Sequence, residues 1–167
     1  MYHSNLALNL DLSKKYIEAI AEYELSLQKE AFNVNLSINL AFLHWVSAAE
    51  FPWADAYKIP NEIRLKGIDR CGEILADAKL KFPECAELYF WERYFWHRIT
   101  FDPFTEEDTL NILSAHTCCE EIPYFFLYLF DEMKYEKERN SVLKKCLELP
   151  TAKNLYIIAI IEDRPPL

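Results

Sequence analysis

A chain of 167 residues has the length of one domain, and with half of its residues hydrophobic it has ample material for a core. Its two glycines, Gly67 and Gly72, are too few for a glycine-rich phosphate loop and weigh against a fold of tight hairpins, whose turns need positive φ. Thirteen acidic and four basic residues lie between positions 84 and 138, so this segment carries the whole net charge of −9. Such a segment repels phosphate backbones and attracts basic partners, which argues against direct nucleic-acid binding.

In chain order, residues 1–11 have neither the basic start nor the apolar run of a secretory signal and are expected as a loosely ordered leader. Tyr16, Ile17, Ile20, Tyr23 and Leu27 recur at steps of three and four, which predicts an amphipathic helix over 13–28 capped by Asp11 or Ser13. A second helix over 34–49 is more apolar and so expected to be more buried, with Pro52 ending it. Prolines and aromatics over 51–61 predict a long ordered loop. A third helix runs over 62–81 to Pro83. The fourth, over 84–99, carries aromatics all round its cylinder and is expected between neighbours.

After a turn at Pro103, Thr105 opens a fifth helix, with Asp108 placed to complete a capping box. Pro123 suits the first turn of a sixth helix to about residue 130. Helices over 135–147 and 152–161 complete a set of about eight. A loose tail over 162–167 follows, and no linker or low-complexity stretch divides the chain. The expectation is one all-α domain over 1–167.

Two helices end in a similar way, at Pro83 and at Pro150, 67 residues apart. That is close to twice the tetratricopeptide period of about 34. Ala19, Tyr23 and Ser26 fill the small–aromatic–small slots of a second repeat helix, Asn39-Leu40-Ala41 matches a first-helix stretch, and Ala86 to Tyr89 matches a first-helix opening. On these residues the chain resembles the tetratricopeptide-repeat family over 13–50 and 68–97. An insertion around 51–62 interrupts the period, and the slot around Cys118–Pro123 lacks the helix-ending proline pattern. The resemblance implies antiparallel helix pairs stacked into a short right-handed α-solenoid. It also implies a concave groove lined by Asn35, Ile38, Phe42 and Trp45 from one unit, and by Glu87, Phe90, Tyr94 and His97 from the next. Such rings hold peptides well, and each has core packing as its competing role.

Glu106, Glu107, Asp108, Glu120, Glu121, Asp131 and Glu132 form an acidic region that reads either as a docking face for a basic protein or as a solvated surface. Five cysteines include the adjacent pair Cys118–Cys119, with spacings unlike those of zinc sites, and they are expected as free, buried thiols in a reducing cytoplasm. His3, His44, His97 and His116 are scattered. No cofactor or metal is expected, and the longest apolar runs are too short for a bilayer.

The expected role is therefore non-catalytic: a cytoplasmic module that binds a basic protein through the acidic face and aromatic groove. One version is an immunity protein that neutralises a basic toxin. The alternatives are a scaffolding subunit in a homo-oligomer, and a small helical ligand binder or enzyme with a closed pocket among Trp45, Trp91 and Trp96.

Overall fold

The computed structural model describes residues 2–29 and 33–162. Ten helices lie in this range: α1 (Tyr2–Leu12), α2 (Tyr16–Lys29), α3 (Val34–Ala49), α4 (Phe51–Ala56), α5 (Asn61–Lys81), α6 (Ala86–Thr100), α7 (Glu106–Ala115), α8 (Tyr124–Tyr128), α9 (Glu136–Glu148) and α10 (Ala152–Ile161). No strand occurs among the described residues; the one sheet-like feature is an isolated parallel bridge between Cys85 and Cys118. No helix among them is long and apolar enough to cross a membrane.

Two of the ten helices replace segments expected without regular structure. The supposed leader is α1, which packs along α2 and buries Ala7 and Asp11. Its weak amphipathic pattern conceals it: it packs closely along α2, but its apolar residues form no single stripe. The supposed loop after Ala49 is partly α4, with Pro52 in the first turn where its missing N–H costs nothing. Trp53 of α4 is buried and packs its ring 4.9 Å from Tyr16. Of the expected loose tail, residues 163–167 lie outside the described range.

The central element is α3. Every residue from Leu36 to Ser47 is buried, as its nearly continuous apolar sequence requires. Asn33 caps its start, its side chain accepting from the Asn35 and Leu36 N–H groups. Helices α2, α4, α5, α6 and α10 all pack on it. The tightest approach is made by Gly67 of α5: a Cβ there would lie 2.4 Å from the His44 carbonyl oxygen.

Helix α6 contributes most of the aromatic core. Phe95 stacks on Trp45 at 4.6 Å, Trp91 meets Phe42 at 5.7 Å, and Phe90 meets Phe125 of α8 at 5.6 Å. Helix α10 returns to this centre. Tyr156 lies 5.3 Å from Phe42, and its hydroxyl is 2.9 Å from that of Tyr94. The Ala152 N–H donates to Asp11 Oδ1 at 2.8 Å, which ties α10 to α1 across 141 positions.

Left-handed backbone falls on Lys14, Lys58, Phe101 and Cys119, and on neither glycine. The capping box predicted at Thr105 is formed, with Asp108 Oδ2 accepting from the Thr105 N–H at 2.9 Å and the Asp108 N–H donating to Thr105 Oγ1 at 3.1 Å.

Candidate functional site

A groove of about 570 Å³ opens where the start of α3, the start of α6 and the α9–α10 junction meet α1. Each wall follows from local sequence. Helix α3 brings Asn35 and Asn39, one turn apart on one face. Helix α6 brings Glu87 in its first turn, and α1 brings Asn5. After Leu149, Thr151 caps α10 by accepting from the Asn154 N–H at 3.4 Å. This cap sets Lys153 and Asn154, polar residues in an otherwise apolar helix, into the groove.

The floor is a buried ion pair. Lys153 Nζ donates to Glu87 Oε1 at 2.5 Å, and the Trp91 indole N–H donates to the same oxygen at 3.0 Å. Both partners are almost fully shielded from solvent, so neither charge would be tolerated alone. Beside this pair, Asn154 is 9% exposed; its Nδ2 donates to the Leu149 carbonyl at 2.8 Å, while its Oδ1 is buried without a donor. Asn39 Nδ2 donates at 3.5 Å to the Tyr23 hydroxyl, which donates at 3.1 Å to Asp11 Oδ2. Burial raises the Asp11 carboxyl to about 6, against the opposing pull of Ala152, Tyr23 and Lys153. On the rim, Asn5 and Asn35 are exposed, and Glu121 pairs with Lys145 of α9.

The groove thus gathers Asn35, Glu87 and Glu121 from the sequence-predicted site residues. The others lie elsewhere. Phe42, Trp45 and Tyr94 are core residues, so the aromatic groove expected through them does not exist as a surface. The physical reason is that α10 and α6 close over α3 and take up these rings. His97 sits near the end of α6, where its Nδ1 is 2.7 Å from the Asp102 carbonyl oxygen and braces the turn before Phe104. Glu120 is exposed just outside the groove.

The acidic region is partly engaged within the fold. Glu106 takes Lys134 at 2.7 Å and the Tyr135 hydroxyl at 2.6 Å, and Asp108 serves the helix cap. Glu107, Glu120 and Glu132 stay exposed. The closed pocket considered among three tryptophans does not form, because Trp45 and Trp91 are packed in the core and Trp96 is on the surface. Cys118 and Cys119 are exposed rather than buried. They follow the end of α7, Cys118 in a segment held to Glu84 and Ala86 and Cys119 next to it in left-handed backbone. All five thiols are free, and Cys71, Cys85 and Cys146 are buried.

Sequence reasoning missed Lys153, Asn154, Asn5 and Asn39. A signal was present for the first two: a lysine and an asparagine open a helix that is otherwise almost wholly apolar, so one face of its first turn must meet polar partners. Compared with protein-family models, with curated proteins and with solved structures, the chain gives no match.

Proposed function

We propose that this chain is a non-catalytic protein-binding module that holds an extended, basic segment of a partner protein in the amide groove. The observation that carries the reading is the open groove itself, rimmed by the exposed amides of Asn5 and Asn35 with Glu120 exposed beside it. The amides of Asn5 and Asn35 on the rim offer the donor and acceptor pair that an extended backbone requires. Exposed Glu120 beside the groove, within a segment of concentrated negative charge, favours lysine and arginine in the occupant and would hasten its encounter.

The helix pairs α1–α2, α3–α5 and α6–α7 each pack together, which supports a tetratricopeptide-like array. The return of α10 onto α3 adds a contact that a stack of neighbours alone does not make. Neutralisation of a basic toxin is one form this holding would take.

Photo-crosslinking tests the reading. Benzoylphenylalanine replaces Asn35 in the full chain, which is exposed to extract from its source cell, and the Glu120→Lys/Glu121→Lys variant serves as control. The expected result is a crosslinked basic polypeptide whose yield falls with charge reversal and with added salt. No crosslinked polypeptide, or one insensitive to charge reversal, would contradict it.

A further inference from the structure

Gly67 and Gly72 stand five residues apart in the interior of α5, where glycine is the least favourable residue except proline. Gly67 has an evident cause within the fold: a Cβ there would meet the His44 carbonyl and, at 2.8 Å, Ala48 Cβ. Gly72 has none. A Cβ built on it meets nothing within 4 Å. Packing inside the chain therefore gives no reason for bare backbone at this point.

Gly72 forms part of a second trough, of about 670 Å³, between α5 and α6. Ile68 of α5 faces Trp96 and Ile99 of α6 across it, with Trp45 and Leu75 beneath. Trp96 is 57% exposed, and Ile68 and Ile99 are more than a third exposed. Leu65, one turn before Ile68, extends the same stripe and is almost wholly exposed. The charged residues on this trough are mostly acidic. Asp69 is exposed, Glu73 pairs with Arg70, and Glu92 pairs with Lys79. Arg93, the cation among the lining residues, is turned toward Asp102 and the Pro103 carbonyl.

We infer that this trough docks an amphipathic helix of a partner protein, its apolar face laid across Gly72 and its basic flanks against Asp69 and against Glu73, whose partner Arg70 is shared with Glu24. A missing side chain lets two helix backbones approach closely, as Gly67 and α3 do within the fold. Two exposed apolar stripes at helical spacing provide anchors for residues at i, i+3, i+4 and i+7 of the incoming helix. Trp96 is the natural hot spot, since a half-exposed indole buries a large area on contact. The acidic rim selects lysine and arginine on the flanks and disfavours a second copy of this acidic chain. The inference rests on the chain being a protein-binding module, but not on the amide groove.

The test uses two fluorescent helical peptides of about eighteen residues, five turns, with one apolar face of leucine and alanine. One peptide has lysine flanks and the other glutamate flanks. Anisotropy titrations are run on the full chain and on Gly72→Trp, Trp96→Ala and Asn35→Ala. The lysine-flanked peptide should bind at least about tenfold more tightly than the other. Gly72→Trp and Trp96→Ala should each weaken it by about tenfold or more, with Asn35→Ala within about twofold. Because the Gly72 position is open, Gly72→Trp should melt as the parent does, and Trp96→Ala supplies the same readout from the opposite wall. Failure of both peptides to bind, equal binding of the two, or indifference to both trough variants would overturn the inference. So would sedimentation showing that the chain alone forms a dimer that Gly72→Trp dissolves. Loss of the Asn35 crosslink with peptide binding intact would remove the amide groove and leave this site standing.

Discussion

The amide groove and the α5–α6 trough are similar in size, about 570 and 670 Å³, but differ in how they are bound to the fold. The groove is walled by groups that the fold already uses. Lys153 and Glu87 neutralise each other, and Asn39 leads through Tyr23 to Asp11, which anchors α10. The trough is walled by Ile68, Trp96 and Ile99, whose exposed faces contribute little to the interior. A substitution in the groove should therefore act on stability and recognition together. Replacing one of those exposed side chains should act mainly on recognition.

The largest effect should come from Lys153→Met. It leaves Glu87 charged, buried and without its cation, and should cost about 3–5 kcal/mol in urea unfolding. Adding Glu87→Gln should recover most of that loss. A cost near zero for Lys153→Met would mean that the pair does not hold the groove together. Trp96→Ala, the matching change in the trough, should alter stability by under about 1 kcal/mol.

The next effect is a pH dependence of opposite sign at Asp11 on the groove side and at Glu24 away from it. The Asp11 carboxyl has a folded value of about 6 against an ordinary 3.8. Its contribution is fully present below pH 3.8 and is lost as pH rises through 6, amounting to about 3 kcal/mol. Asp11→Asn should abolish this slope and be the more stable form at neutral pH. Glu24 has the opposite sign. Burial alone would raise its carboxyl, but hydrogen bonds from Arg70 and His44 outweigh that and hold it at about 2. Its contribution is present above pH 4.5 and is lost as pH falls through 2. Melting curves from pH 3 to 7 on Asp11→Asn and Glu24→Gln separate the two.

The two glycines sharpen the contrast at smaller scale. Gly67→Ala forces a Cβ into α3 and should cost about 1–3 kcal/mol. Gly72→Ala meets nothing and should stabilise the chain by about 0.5–1 kcal/mol through helix propensity. Equal responses would show that Gly72 is also held by the fold. Of similar size, Phe101→Gly should gain about 1 kcal/mol, because Phe101 ends α6 at φ 60°, a left-handed position that strains an aromatic residue.

Helices with a clear apolar period were legible in the sequence. The Thr105 cap, the buried character of α3 and the packed aromatic helix α6 all follow from local pattern. Helix α1 was not legible, since Ala7 and Asp11 form no stripe and Asp11 finds its partner 141 positions away. The rings Phe42, Trp45 and Tyr94 show the same limit. Their spacing marks one helix face correctly, but spacing cannot tell whether a later helix covers that face, and α10 does so through Tyr156. Of the groove, Asn35, Glu87 and Glu121 were legible one by one. Their convergence depends on where α10 lands, which is a tertiary fact.

The most direct measurement is hydrogen exchange on the full chain with and without the polypeptide captured through Asn35. The account predicts added protection over residues 33–39 and 149–154. If that polypeptide also supplies the docking helix, protection should extend over 65–75 and 92–99. Protection confined to other segments, or unchanged exchange throughout, would contradict it.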